Sequence, residues 1–447
     1  MPNEPSPLIR RPLANPRLWA FPIVVVVIVA GFLSAMYLGG TINSSTSLKG
    51  FPIAIVDQDQ PVTTPGGQLH AGKQIADNLV SGIDHDKFAV SRLTLAQAEA
   101  RMDKGTLYGA IVLPSTLSAR LVGLAESTTS ASAATKPTIT VLTNPRAGTA
   151  TPGIVTTLAT AALAKLDTAV GSQLITSTRA QLVAAGHPEA LTGAAVSLLA
   201  APITIVVTAH DALPEGTGGG LSAFYFALLL VLAGFTGSMI VSTLVDGSLG
   251  FVPSEFGPAY SLARHSGLSR RATLGVKWAI MAVLALVVAA LYLAVSAALG
   301  MPISHPFLLW AFSAAAILAV ALVAQTIIAI FGSIGLIVNL FVFVIFSLPS
   351  AGGTIPLEAT PALFRWLGSF EPMHQIYLGA RAILYFDGTL DAGLGRALIF
   401  CAAAAVLGVV IGLIATTIYD RRKLQRRGDW APAEQSEMSR SDIAAAQ

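Results

Sequence analysis

Residues 306–349 read PFLLWAFSAAAILAVALVAQTIIAIFGSIGLIVNLFVFVIFSLP, a stretch without a single Asp, Glu, Lys or Arg. The uncharged run is wider still, because none of these residues occurs between Lys277 and Glu358. One membrane span needs about 20 apolar residues, so the stretch is too long for one helix and long enough for two. We predict that the chain folds back at Phe331-Gly332-Ser333 and that lipid is the solvent of this half.

The composition of the whole chain agrees with a membrane protein. Of its 447 residues, 53% are hydrophobic and only 11% are charged, whereas soluble domains carry about 25% charged residues. The net charge of +3 is small, so we expect the lipid bilayer and not nucleic acid as a partner. Cys401 is the only cysteine, which excludes a disulfide within the chain and a thiolate metal site.

Apolar segments predict a membrane α-helical fold with six transmembrane helices, one followed by five. We place them at about 18–40, 221–245, 274–299, 307–330, 333–349 and 397–419. A cleaved signal peptide is the alternative for the first segment, but its apolar region would span only about 7–15 residues.

The basic residues predict the orientation of these spans. Lys and Arg are dense in the N-terminal segment 1–17, in the loop 246–272 and at the start of the tail 420–447. Six spans place all three segments on one side, and basic loops face the cytoplasm. We therefore expect a multi-pass protein of the plasma or inner membrane with both termini cytoplasmic. The rest of the tail has the composition of a disordered segment.

Residues 41–220 have a different composition, in which short apolar runs alternate with helix patterns. Strand patterns occur at 52–59, 88–93, 107–114, 138–144 and 202–210. Thr94 followed by Gln97 predicts a capping box at the start of a helix, and Gly105 predicts its end. Strands that alternate with helices indicate an extracytoplasmic α/β domain inserted after the first span.

Segment 350–396, between the last two spans, is aromatic and interrupted by prolines. We interpret it as amphipathic helices that lie at the outer membrane surface or partly re-enter the membrane, with Trp366, Tyr377 and Tyr385 as interface anchors. An ordinary loop outside the membrane is the alternative.

No motif for catalysis or for a cofactor is convincing. The run from Gly67 to Lys73 resembles a P-loop, but Gln74 replaces the Ser or Thr that holds magnesium. Asp57 and Asp59 fit a polar turn at a strand end better than half of a cation site. The seven histidines are scattered. We therefore expect no enzyme activity, no catalytic residues, no cofactor and no metal.

Polar residues inside the apolar half are the better candidates. Gln325 and Asn339 lie in the uncharged hairpin, where they either line a translocation path or bridge helices. Asp246 and Lys277 flank the loop 246–272. The spans lack the carboxylate pair that a proton-driven pump would usually need, which argues against a self-powered antiporter.

Three stretches resemble ABC-2-type export permeases, and more closely their relatives, the phage-infection-protein (Pip-like) and nitrosoguanidine-resistance families. They are PIAIVDQDQPVTTPGGQLHAGKQIADNLV (52–80), AQAEARMDKGTLYGAIVLPSTLSARL (96–121) and SAGGTIPLEATPALFRWLGSFEPMHQIYLGARAI (350–383). Together they follow the order and spacing of these families over most of the chain.

The resemblance implies an export component for lipophilic or cell-envelope substrates. Such a permease is a homodimer powered by a separate ABC ATPase, which would contact the loop 246–272. The residues offered by that loop are Glu255, Arg264, Arg270 and Arg271. The alternative function is a non-transporting envelope scaffold or receptor that presents its extracytoplasmic domain.

Overall fold

The computed structural model of the protein describes residues 16–42, 46–64, 67–127, 134–184, 191–261 and 263–424. Most of the N-terminal basic segment and all of the predicted disordered tail lie outside these residues. The chain divides into two compact units. The sheet unit comprises residues 1–229, 292–312 and 342–400, and the helical unit comprises residues 230–291, 313–341 and 401–447.

A five-stranded sheet forms the centre of the sheet unit. The strands in chain order are β1 (Phe51–Asp57), β2 (Val62–Thr64), β3 (Gly67–Leu69), β4 (Phe88–Arg92), β5 (Gly109–Leu113), β6 (Thr138–Thr143) and β7 (Thr204–Ala209). The order in the sheet is β4-β1-β5-β6-β7, with β2 and β3 forming a separate hairpin. Strand β1 is parallel to β4 and β5, β5 is antiparallel to β6, and β6 is parallel to β7.

Helices cover both faces of the sheet. They are α2 (Ala71–Gly82), α3 (Leu95–Asp103), α4 (Leu117–Glu126), α5 (Thr151–Ala184) and α6 (Gly193–Ala200), which follow α1 (Pro16–Thr41). Alternate residues of β1 take part in two cores. Ile53 lies in the core that contains residues of α2, α4 and α5, and Ala54 lies in the core that contains residues of α3. This is the predicted α/β region, between residues 51 and 211.

The predicted capping box at the start of α3 is confirmed. The Thr94 hydroxyl accepts a hydrogen bond from the backbone N–H of Gln97 at 3.3 Å, and the Gln97 side chain accepts one from the Thr94 N–H at 3.1 Å. Gly105, at φ +65°, follows the end of the helix, where a residue in the left-handed region stops helical hydrogen bonding.

Six helices in the described residues are long and apolar enough to cross a bilayer: Pro22–Thr41, Thr151–Ala184, Gly218–Ser248, Arg270–Ala298, Pro306–Phe331 and Leu394–Arg421. Five coincide with predicted spans. The remaining one is α5, whose residues Val155, Ala159 and Leu163 pack in the core of the sheet. The chain is therefore a multi-pass membrane protein with its first apolar helix near the N-terminus.

We number the helices after β7 as α7 (Leu221–Ser248), α8 (Arg270–Ala298), α9 (Pro306–Phe331), α10 (Ser333–Leu340), α11 (Ala362–Gly368), α12 (Pro372–Tyr385) and α13 (Leu394–Arg421). The predicted turn after Phe331 is confirmed, with Gly332 at φ +60° between α9 and α10.

The predicted span 333–349 is shorter than expected. Helix α10 has 8 residues and continues as a π-helical segment of 5 residues, Phe341–Ile345, which together extend about 20 Å. The run of apolar letters predicted a full span because hydropathy alone does not reveal a change of helix type.

Small residues bring the helices of the helical unit close together. A Cβ atom on Gly234 of α7 would lie 2.7 Å from the Val320 side chain of α9. Ser238 donates a hydrogen bond to the Ala321 carbonyl at 3.3 Å, and Thr326 donates one to the Gly408 carbonyl at 2.8 Å. Such small-residue contacts and interhelical hydrogen bonds are typical of helix packing in membranes.

The prediction of Tyr377 and Tyr385 as interface anchors is wrong, because α12 is a buried helix. Eleven of the fourteen residues of α12 are buried, including Tyr377 and Tyr385, which are 2% and 6% exposed. Only Trp366 of the three predicted anchors is exposed, at 62%. Tyr385 is instead hydrogen-bonded to the Ser222 hydroxyl at 2.8 Å. Prolines and aromatics here mark a segment that is packed within the sheet unit. The sequence pattern does not distinguish such a segment from helices at a membrane surface.

Candidate functional site

A cleft of about 740 Å³ opens in the helical unit. It lies where the end of α7, the start of α8, the turn between α9 and α10, and the end of α13 come together. Its polar lining includes Ser242, Asp246, Arg270, Lys277 and Tyr419, and its apolar lining includes Phe251, Val252, Ile328, Ile330, Phe331 and Leu336. The volume is in the range of sites that bind small molecules.

An ion pair forms part of the polar wall of this cleft. The Lys277 ammonium lies 2.8 Å from the Asp246 carboxylate, and their side chains are 6% and 21% exposed. Lys277 lies seven residues into α8, which places it about 10 Å from the helix start. From the sequence, these two residues were predicted only to flank the loop 246–272. The structure brings them together, so the apolar half does contain an ion pair.

Gln325 and Asn339 do not line the cleft. Both are buried, and each donates its side-chain amide to a backbone carbonyl of another helix. Gln325 donates to Lys277 at 3.4 Å and Asn339 donates to Ala324 at 3.0 Å. This geometry corresponds to the helix-bridging alternative. Gln325 also supports the residue that carries the cleft ammonium.

The loop between α7 and α8 contains a short antiparallel hairpin, β8 (Ser254–Phe256) and β9 (Ala259–Ser261). Glu255 lies opposite Tyr260 in this hairpin. Glu255, Arg264 and Arg271 are exposed, while Arg270 is partly buried. The loop therefore presents both charges and a 62% exposed tyrosine at residue 260. Within the described residues it contains a hairpin and no helix.

Arg270 belongs to the wall of the cleft. Its guanidinium lies 5.4 Å from the centre of the Tyr419 ring, and its Nε donates to the Leu424 carbonyl at 3.2 Å. The Tyr419 hydroxyl in turn donates to the Ile330 carbonyl at 3.2 Å. These contacts place the basic start of α8 and the basic end of α13 at the same end of the helical unit.

Ser242 is a lining residue that was not among the predicted site residues. It lies one helical turn before Asp246, so the two side chains share a face of α7. Ser242 is 4% exposed and lines the cleft. Within the described part of the chain, its hydroxyl has no hydrogen-bond partner. The four-residue spacing from Asp246 was the available signal.

The motifs that the sequence analysis discounted have structural roles in the sheet unit. The Asp59 carboxylate accepts hydrogen bonds from the Gly72 N–H and the Ser118 N–H, both at 2.8 Å. It thereby caps the starts of α2 and α4. The P-loop-like run from Gly67 to Lys73 ends in the first turn of α2. The Asp59 carboxylate lies at the start of this helix, which is the position that a bound phosphate would take.

One group of side chains has the composition of a metal site. Ligand atoms of Asp103, His210 and Asp211 lie within 4.8 Å of one another. His210 contacts Asp103 at 2.8 Å, and Arg146 contacts Asp211 at 3.4 Å. The Arg146 guanidinium already supplies a positive charge there, and the two carboxylates are half exposed. The arrangement corresponds to a surface ion-pair network.

A buried carboxyl lies at the start of α12 in the sheet unit. Glu371 accepts hydrogen bonds from the N–H groups of Met373 and His374 at 3.0 and 3.1 Å, and from the Ser347 hydroxyl. Burial raises the pKa of Glu371 to about 7. Burial also lowers the pKa of His374 to about 4, while its Nδ1 lies 2.8 Å from the Ala351 carbonyl.

The comparisons with known proteins give a family and no function. No curated protein and no solved structure matches the chain. One family model, described as Protein of unknown function (DUF3533), matches residues 21–410. The matched region includes the first apolar helix, the sheet region and most of the last helix. The chain therefore belongs to the DUF3533 family.

Proposed function

We propose that the protein is an ABC-2-type permease-like export component for lipophilic or cell-envelope substrates, powered by a separate ATPase. The cleft in the helical unit carries this proposal. It combines a buried ion pair with apolar walls, and it opens at the end of the unit where the exposed loop 249–269 lies. A substrate site and a surface for a motor protein are thus next to each other.

The charge distribution supports an orientation for this unit. Arg264, Arg270 and Arg271 at the start of α8, and Arg421, Arg422 and Lys423 at the end of α13, lie at the cleft end. Basic residues of short loops remain in the cytoplasm. In this orientation the cleft opens toward the cytoplasm, where an ATPase is found, and the α/β region is extracytoplasmic. A homodimer belongs to the same proposal.

Site-specific crosslinking in cells tests this function. A photo-crosslinking residue at Tyr260, in the exposed hairpin, is expected to capture an ABC ATPase, and R264E is expected to weaken that capture. The matched control carries the same crosslinker at Ala100, an exposed position of α3 in the sheet unit. If an ATPase is absent at both positions, and deletion leaves export of envelope lipids unchanged, the permease reading is wrong.

The second candidate function is an envelope scaffold or receptor. The observation that favours it is the extent to which segment 350–396 is built into the sheet unit, for example through Tyr108, whose hydroxyl donates to Glu358 at 3.2 Å. A receptor would yield envelope proteins captured at position 100 and no ATPase at position 260. The two crosslinking positions therefore separate the two functions.

A further inference from the structure

We infer that strand β7 pairs with β7 of a second copy of this chain, antiparallel and with Val207 opposite the partner's Val207. The two five-stranded sheets then form one continuous sheet across a two-fold axis. This inference rests on the homodimer of the proposed function and assigns the surface that forms it. It concerns the sheet unit alone and is tested without an ATPase.

The open edge of β7 is the first observation. Strand β7 is the last strand of the sheet, and within the described residues no strand pairs with its outer side. The N–H groups of Thr204 and His210 donate to carbonyls on the β6 side, at 2.9 and 2.8 Å. Since alternate residues of a strand bond to the same neighbour, Ile205, Val207 and Ala209 direct their backbone groups to the outer edge. Such groups are a template for another strand.

The composition of this edge is the second observation. Edge strands are usually protected from pairing by charged side chains or proline. The opposite edge, β4, carries Arg92, which forms an ion pair with Asp77 at 2.6 Å. Strand β7 reads TIVVTA, without charge or proline. Val206 and Val207 point to opposite faces and are 42% and 44% exposed, so pairing would remove apolar surface from water on both faces.

Two features limit the free part of the edge and thereby select a register. The Ile203 N–H, which precedes it, already donates to the Asp167 carboxylate at 2.9 Å. Asp211, which follows it, has φ +46° and leaves the extended conformation. Val207 is the middle one of the three outward residues between these limits. An antiparallel copy that uses all three outward residues therefore centres on Val207.

The start of β7 adjoins more positive than negative groups. The Lys136 ammonium donates to the Ala201 carbonyl at 2.7 Å, and the Arg120 guanidinium donates to the Lys136 carbonyl at 3.4 Å. Asp167 is the carboxylate on this side. Two cations and one carboxylate leave a formal excess of one positive charge.

The end of β7 has the opposite balance. His210 lies beside the carboxylates of Asp103 and Asp211, and Arg146 pairs with Asp211 at 3.4 Å. With the histidine neutral, two carboxylates and one guanidinium leave a formal excess of one negative charge. Antiparallel pairing of two copies brings each start beside the other copy's end, so opposite charges meet at both ends. Parallel pairing would bring like charges together.

A second copy fits this edge better than a foreign peptide does. A domain that adds a foreign strand reads its alternate side chains with pockets beside the edge. The exposure of Val206 and Val207 shows that both faces of β7 are open within the described residues. The edge therefore offers hydrogen bonds and flat apolar surface, which its own copy matches.

Disulfide crosslinking in native membranes tests the pairing. Cys401 is the only cysteine, so C401A gives a cysteine-free full-length chain. Residues directly opposite each other in this ladder have Cα atoms about 5.5 Å apart, within disulfide range. We expect V207C to form a covalent dimer on oxidation with copper phenanthroline. T208C should form several-fold less, because residue 208 would lie opposite position 206 and diagonal to its own copy, at about 7–8 Å.

A mixed experiment reads the same register with Val207 intact. Val206 would lie opposite the partner's Thr208, so coexpressed V206C and T208C chains with different tags should crosslink. Each variant alone should yield several-fold less. V207K in both chains places like charges opposite each other and should abolish the mixed disulfide. V183K is the matched control, because Val183 of α5 is 57% exposed and lies outside β7.

The inference is overturned if V207C and T208C crosslink equally, since random collision would explain both. It is also overturned if the mixed chains yield no more disulfide than each variant alone, or if mass spectrometry finds a different protein in the V207C adduct. The V207C dimer without an ATPase captured at Tyr260 would contradict export alone. An ATPase at Tyr260 without the dimer would contradict the edge pairing alone.

Discussion

The carboxylate of Asp420 accepts a hydrogen bond from the backbone N–H of Arg270 at 2.9 Å, and its other oxygen accepts one from the next N–H at 3.1 Å. A residue at the end of the last helix thus caps the start of α8, where unpaired N–H groups and the helix dipole favour a negative charge. This contact joins the two basic ends beside the cleft.

Substitution of that cap is expected to destabilise the helical unit. D420A should lower the free energy of unfolding by about 1 kcal/mol, the usual effect of a lost N-terminal cap, and D420N should have a smaller effect. Thermal unfolding in detergent measures both. D391N is the control, because Asp391 forms an exposed ion pair with Lys104 that contributes little. An equal effect of D420A and D391N would contradict the capping role.

The buried ion pair should show strong coupling. K277M alone leaves the Asp246 carboxylate without its ammonium and should destabilise the protein by about 3–5 kcal/mol. Removal of both charges should destabilise it much less, because no uncompensated buried charge remains. D246N/K277M should therefore be more stable than K277M alone. A double-mutant cycle on chemical unfolding gives the coupling energy. Strictly additive effects would show that the two charges do not interact.

Because the helices pack closely at Gly234, an added methyl group should destabilise the protein there and not at an open glycine position. G234A places a Cβ atom 2.7 Å from Val320, and such overpacking should cost about 1–3 kcal/mol. Gly275 of α8 has nothing within 4 Å of the same position, so G275A should be neutral or slightly stabilising through helix propensity. Both variants are compared by thermal unfolding. Equal behaviour of the two would refute the packing argument.

Glu371 and His374 should give opposite dependences of stability on pH. Glu371 has a pKa raised from 4.5 to about 7, so its contribution to stability is present at low pH and is lost as the pH rises to about 7. His374 has a pKa lowered from 6.5 to about 4, so the protein loses stability as the pH falls from 6.5 to 4. Over the shared range the two slopes oppose each other.

Single variants should therefore reveal each slope. In E371Q, stability should fall as the pH decreases below 6.5, because only the histidine remains. In H374N, stability should fall by up to about 3 kcal/mol as the pH rises from 4.5 to 7. Apparent melting temperatures across this range check both directions. Parallel pH profiles for the two variants and the wild type would contradict the assignment.

Local patterns in the sequence predicted much of the fold, and long-range partners account for what they missed. Periodicity located the five strands of the main sheet, and the Thr94–Gln97 pair located a helix start, because such features depend on neighbouring residues. The burial of Tyr377 depends on contacts with distant segments, which periodicity does not contain. The same holds for the candidate site, since Lys277 and Asp246 are 31 residues apart and only folding brings them together.

The contacts of segment 350–396 also constrain the order in which the chain folds during synthesis. Arg381 donates a hydrogen bond to the Ala147 carbonyl across 234 residues, and Tyr108 donates one to Glu358 across 250 residues. The sheet region emerges from the ribosome well before these partners exist. These contacts form only after the C-terminal third has been translated, so a secreted fragment of residues 41–220 would expose surfaces that the complete chain covers.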